Sequence, residues 1–251
     1  MAMRFPVAPI AAALLVLVCA AAATAQEAAR TMLSPPAQAE WSAVGRLTIT
    51  AQGFCTATAI APDVVLTAAH CVIDPRKHTP VDPSRVHFLA GMRAGTFVAH
   101  ATAARILITP GFDRRSGNVA ADIALVVLET PLPDTVRPLL VDFGARPDLP
   151  LTLLSYGIDR SQFLSMERGC RLDRAAGGIL YTTCEGVPGV SGAPILQNRD
   201  GVLAVTGVAS AVLRKRNSAT VKGPVLAAAA TRPQLEALAA PVTGVSYLSG
   251  S

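Results

Sequence analysis

Hydrophobic positions along this chain fall in short runs, broken every few residues by Gly, Pro or Asp, and rarely recur at helical spacing. Runs of Val, Ile, Leu, Thr and Ala bounded in this way read as β-strands. Ten are predicted: Gly45 to Thr50, Ala57 to Ala61, Val64 to Thr67, Arg85 to Ala90, Phe97 to Ile108, Ile123 to Leu128, Leu151 to Ser155, Gly178 to Thr183, Ala193 to Leu196 and Val202 to Ala209. Such spacing predicts an all-β protein built as barrels or a sandwich. A Pro-rich stretch from Pro131 to Pro150 interrupts the runs near the middle and is the expected crossing between two halves, 40–135 and 136–251. Near the end, Thr231, Arg232 and Pro233 precede Gln234 to Ala240, with Leu235 and Leu238 on one face; this predicts a short terminal helix.

The one long apolar run lies at the start. Arg4, the run from Ile10 to about Ala23, and the small residues Ala23 and Ala25 around Thr24 have the form of an export signal cleaved after Ala25. Its strongly apolar part is short and diluted by Ala, whereas a spanning helix needs about 20 mainly apolar residues. Cys19 follows Val18, bulkier than the small residue that lipoprotein processing favours, so lipidation is not expected. Residues 26–39, with Pro35 and Pro36, carry little pattern and are expected to be a propeptide or a loose arm.

Charge changes the picture little. The chain carries a formal +5, which becomes +4 without Arg4, and its acidic and basic residues are mixed. Nucleic-acid binding needs a concentrated basic stripe, and the only basic run, Arg214, Lys215 and Arg216, reads as a solvated loop tip. Cysteines change it more. Cys55, Cys71, Cys170 and Cys184 remain after signal removal, an even number in a chain sent to an oxidising compartment. Pairing Cys55 with Cys71 and Cys170 with Cys184 gives two local loops, one in each half. The spacings match no usual zinc-ligand pattern, and no metal or other cofactor is expected.

Three segments carry the chemistry: LTAAHC from Leu66 to Cys71, DIALV from Asp122 to Val126, and GVSGAP from Gly189 to Pro194. They supply, in chain order, an imidazole, a carboxylate at the entrance of an apolar strand, and a hydroxyl flanked by glycine. A serine nucleophile needs these parts: a base for its proton and an acid group that holds the base in one tautomer. The order His, Asp, Ser differs from those of the subtilisin-like and α/β-hydrolase chains.

On these segments, and on Ile108 to Phe112 and Leu153 to Gly157, the chain resembles the trypsin-like (chymotrypsin-fold) serine peptidases, nearer in style to secreted bacterial members. The resemblance implies two six-stranded antiparallel β-barrels with a short C-terminal helix. It also implies a catalytic triad of His70, Asp122 and Ser191, and an oxyanion hole made by the Gly189 and Ser191 amides. Substrate contacts are expected from Glu185, six places before Ser191, and from Ser210, Ala211 and Val212, nineteen places and more after it. Glu185 offers a carboxylate to a basic side chain, Val212 narrows the pocket, and Ala209 replaces the histidine of glutamyl endopeptidases, so cleavage after basic or small residues is expected. Val190 stands where digestive members carry the aspartate that receives a newly cut amino terminus, and the oxyanion loop is therefore expected to form without such a cut. The implied protein is a monomeric secreted or periplasmic endopeptidase acting on proteins or peptides. A catalytically silent binding homologue and an esterase are the alternatives.

Overall fold

In a computed structural model of the chain, Met1 and residues 30–213, 222–242 and 244–245 are described. Apart from Met1, the segment expected to be an export signal lies outside them, as does the Arg214 to Arg216 run. The elements run β1 (Thr31–Met32), α1 (Pro35–Ala39), β2 (Val44–Ile49), β3 (Gly53–Ala61), β4 (Val64–Thr67), β5 (Val86–Ala90), β6 (Ala99–Ile108) and β7 (Ala124–Leu128). After a connection without regular structure come β8 (Leu151–Ser155), β9 (Ser165–Cys170), β10 (Leu172–Ala176), β11 (Ile179–Gly186), β12 (Pro194–Arg199), β13 (Val202–Val212), β14 (Gly223–Ala229) and α2 (Arg232–Ala239).

The first half closes into a six-stranded barrel in the order β2-β3-β4-β7-β6-β5. Its strands are antiparallel, with Leu47 opposite Cys55 and Phe88, and Leu66 opposite Thr58 and Leu125. Alternate positions of β2 and β5 turn Leu47, Ile49, Val86, Phe88 and Ala90 inward, and their burial drives closure. The second half is an antiparallel sheet ordered β1-β9-β8-β12-β13-β14-β11-β10. It holds eight strands where six were expected, because β1 and β10 extend its two ends. The architecture is chymotrypsin-like, with one short helix, α2, at the C-terminal end.

The halves share apolar packing: one buried cluster joins Leu47, Phe88 and Leu125 of the first barrel to Leu154, Tyr156, Val208 and Leu235 of the second half. Tyr156 is fully buried and donates its hydroxyl to the Met92 carbonyl across this boundary, 2.8 Å. The crossing segment contributes its own bonds, Leu139 N–H to Ala59 O and Asp142 N–H to Val205 O, both 2.9 Å. Each half carries one disulfide, Cys55–Cys71 and Cys170–Cys184.

The arm expected to be loose is packed from Arg30 onward. β1 pairs with β9, Thr31 opposite Met166, and Gln38 is buried with its amide on the Met92 carbonyl at 2.8 Å. Sequence pattern missed it because a two-residue strand has no periodicity to display.

Candidate active site

His70 sits in a single helical turn, Ala69–Val72, directly after β4. Ala68 and Ala69 are fully buried, and their small side chains let the turn lie close to the barrel. Cys71, bonded to Cys55 of β3, fixes the turn from the other side. Asp122 closes a second short turn, Val119–Ala121, just before β7. Because β4 and β7 are hydrogen-bonded neighbours, Thr67 opposite Ala124, the two turns leave the same end of the barrel together.

The imidazole and the carboxylate meet there. His70 Nδ1 lies 2.6 Å from Asp122 Oδ2, and the His70 backbone N–H donates to Oδ1 at 2.8 Å. A carboxylate only accepts, so Nδ1 carries the hydrogen and Nε2 is the basic nitrogen. Ser210 of β13 donates its hydroxyl to Asp122 Oδ2 as well. Burial pushes the Asp122 carboxyl up, but the hydrogen bonds and charge of His70, with the Ser210 hydroxyl, outweigh it and hold the group below its ordinary range. An anion buried at 3 % exposure is thereby kept ionised beside the ring.

Ser191 belongs to the loop between β11 and β12. Thr56 of β3, fully buried, holds this loop from the first barrel: its N–H donates to Ser191 O at 2.8 Å, and its hydroxyl to Gly189 O at 3.0 Å. Gly192, at φ +80°, packs so tightly that a Cβ would lie 2.1 Å from Thr56 O and 2.2 Å from Thr67 Oγ1. Ser191 and His70 border one cleft of about 290 Å³, together with Phe54, the Cys55–Cys71 bridge, Arg114, Pro188 and Gly189. No hydrogen bond joins Ser191 to His70 among the described residues.

Along the loop, Val190 N–H donates to Val187 O, Gly192 N–H to Ala209 O and Ala193 N–H to Val190 O. The Gly189 and Ser191 amides have no backbone acceptor among the described residues. Pro188 O accepts from Ile158 N–H at 2.7 Å. A trans peptide directs its C=O and N–H oppositely, so the Gly189 N–H points away from Ile158. Two neighbouring unpaired amides beside a hydroxyl can receive an oxygen that gains negative charge.

Two further recesses flank the site. One of about 250 Å³ lies against His70, Phe112, Arg114, Asn118, Val119, Ser210 and Ala211. The other, beside Ser191, holds only about 10 Å³ between Val187, Val190, Ala209, Val212 and Val225. Ser210, Ala211 and Val212 thus border the site, although the Ser210 hydroxyl is committed to Asp122. Glu185 stands apart from the recess. Paired with Pro224 on β14, its carboxylate meets Lys222 Nζ at 2.8 Å, so it does not offer a free charge to a substrate. Arg114, whose guanidinium reaches the His70 carbonyl at 2.7 Å, was missed in the sequence because no motif marks its loop. The cysteines beside His70 are bonded to each other and offer no thiolate to a metal ion.

Comparison with known proteins agrees with this fold. Three solved structures share the fold at low identity: a Glu endopeptidase in complex with MPD (TM-score 0.67, 21 % identity, 82 % of this chain and 93 % of that one), the thermostable serine protease AL20 from an extremophilic microorganism (0.67, 18 %, 81 % and 98 %), and the protease Anisep from Arthrobacter nicotinovorans (0.65, 17 %, 84 % and 97 %). Comparison with curated proteins returns no match. The family model for trypsin matches residues 32–231, from β1 to the threonine before α2, and with that span the chain belongs to the trypsin family.

Proposed function

We propose that this protein is a secreted serine endopeptidase working through His70, Asp122 and Ser191. The observation that carries the reading is the 2.6 Å pairing of His70 Nδ1 with a buried carboxylate, on a cleft shared with Ser191 and two unpaired amides. His70 Nε2 takes the Ser191 proton as Oγ attacks the scissile carbonyl, and Asp122 stabilises the imidazolium. The new oxyanion is received by the Gly189 and Ser191 N–H groups. His70 then protonates the leaving amine, the acyl group stays on Ser191, and water releases it by the reverse sequence. Ser191 closes on His70 only when substrate fills the cleft, as is common for such pairs. Export through residues 1–25 fits the two disulfides, and no helix among the described residues is long and apolar enough to cross a membrane.

The side chain before the scissile bond faces the recess beside Ser191, which four valines leave nearly filled. The substrate residue there is Ala or Gly rather than a basic one, since Glu185 is engaged by Lys222. A fluorophosphonate probe is expected to label the secreted protein and to lose its target in Ser191→Ala. Absence of labelling in the natural chain would favour a silent binding homologue. Comparing peptide amides with nitrophenyl esters separates endopeptidase from esterase, and amide turnover is expected to be highest after Ala; a preference for Arg or Phe would overturn the pocket assignment.

A further inference from the structure

The reading above requires the Gly189 amide to face the reacting carbonyl, yet the chain places apolar Val190 where an ion pair anchors this loop in digestive relatives. Val190 is buried among Leu153, Val187, Ala209 and Val225 and supplies no charge. A different charge lies behind the same loop. Arg30, with no exposed side-chain surface, directs Nη2 at both oxygens of Asp159, 2.7 and 2.6 Å. Its carbonyl accepts from Arg160 Nη1 at 2.7 Å, and the next residues are held by the β1–β9 ladder and by Leu33 N–H on Leu164 O, 3.0 Å.

Asp159 is the middle residue of the turn Ile158–Arg160, and Ile158 in that turn gives the N–H that orients the Pro188–Gly189 peptide. The packing between them is close. A Cβ on Gly157 would lie 2.5 Å from Arg30 Nη1, 2.4 Å from Asp159 Oδ1 and 2.7 Å from Val187 Cγ2, so guanidinium, carboxylate and oxyanion loop converge on a point where only glycine fits. The links run in one direction: Arg30 fixes Asp159, the turn fixes Ile158 N–H, and that hydrogen bond decides which way the Gly189 N–H faces.

We propose that Arg30 and Asp159 are positioning residues that hold the oxyanion loop in its working shape, so that the chain is active with Arg30 in place and is switched off by a cut after it. The inference rests on Ser191 being the nucleophile. It reverses the logic of activation by trimming, because a chain starting at Thr31 would lack the group that orders the loop.

The test uses the secreted protein carrying Arg30→Met, Arg30→Lys or Ile158→Pro, assayed for kcat and KM on an alanyl peptide amide, affinity for an alanyl boronate, and thermal unfolding. Proline suits the first position of a helical turn, removes the N–H and puts a ring carbon where that hydrogen lay, so Pro188 O must move away; Ile158 is 60 % exposed, so little other packing is lost. In Arg30→Met and Ile158→Pro, kcat is expected to fall about 30-fold or more, and boronate affinity by a similar factor, with KM within about twofold; Arg30→Lys should recover part of the kcat. Folded Arg30→Met or Ile158→Pro protein with unchanged kcat overturns the proposal, as does kcat that falls only with the folded fraction. Should Arg30→Met not fold, Ile158→Pro decides alone. A natural chain that the fluorophosphonate does not label overturns the protease reading itself, whereas a labelled natural chain with an equally active Arg30→Met overturns only this inference.

Discussion

Ser210 shows how one residue can do more than its sequence assignment. Placed by spacing on the strand expected to meet the substrate backbone, it also gives its hydroxyl to Asp122, sharing the oxygen that His70 uses. Hydrogen bonds to charged groups contribute about 1.5–3 kcal/mol, so Ser210→Ala is expected to lower kcat/KM by about 10-fold or more, read from initial rates on a peptide amide. The Asp122 carboxyl sits below its ordinary range despite burial, because His70 and Ser210 favour its ionised form. A depressed folded-state pKa contributes stability that is complete above the unfolded value of about 3.9 and is lost as pH falls through the folded one. Urea midpoints of the natural protein should therefore drop more steeply below about pH 4 than those of Asp122→Asn. His70, Asp122 and Ser191 were legible as members of the candidate site because each lies in a short contiguous motif. Arg30 was not, since its partner is 129 residues away, and Glu185 was misjudged because counting from Ser191 cannot reveal that Lys222 faces it.

Among the elements, strands with strong alternation or continuous apolar runs were readable: β4 and β8 have the bounds expected, and β2, β5 and β7 shift by one residue. β9, β10 and β14 were missed for physical reasons. β9 and β10 carry Glu167, Arg168, Asp173 and Arg174 toward exposed or polar surroundings, and β14 opens with Gly223 and Pro224 and ends in three alanines, weak strand formers whose place is set by the two neighbouring strands. The β11–β12 loop shows a tighter constraint. Gly192→Ala would drive a methyl into Thr56 O, and overpacking of this kind costs about 1–3 kcal/mol, so a lower urea midpoint with severe loss of peptidase activity is expected. On β13, Val212 helps fill the recess beside Ser191. Val212→Gly should widen it, raising kcat/KM for Leu or Phe before the scissile bond relative to Ala, measured with a matched amide series.

At the scale of the molecule, the candidate site lies where the halves meet: His70 and Asp122 come from turns of the first barrel, and Ser191 and Ser210 from the β11–β12 loop and β13 of the second half. The division into two β-rich halves was legible from the Pro-rich interruption, but the joint packing around Tyr156 was not, because it depends on side chains distant in sequence. Neither disulfide crosses the boundary, and each closes a loop worth about 3 kcal/mol in the chain-entropy picture. Replacing Cys55 and Cys71 by Ala should lower both the denaturation midpoint and kcat, since Cys71 adjoins His70; replacing Cys170 and Cys184 should lower chiefly the midpoint. The pairing of β1 with β9 has a kinetic consequence. Thr31 pairs with Met166 across a sequence separation of 135, and contacts so remote in sequence form slowly. The first strand of the molecule thus joins it last, and recovery of turnover during refolding should trail the closing of the first barrel.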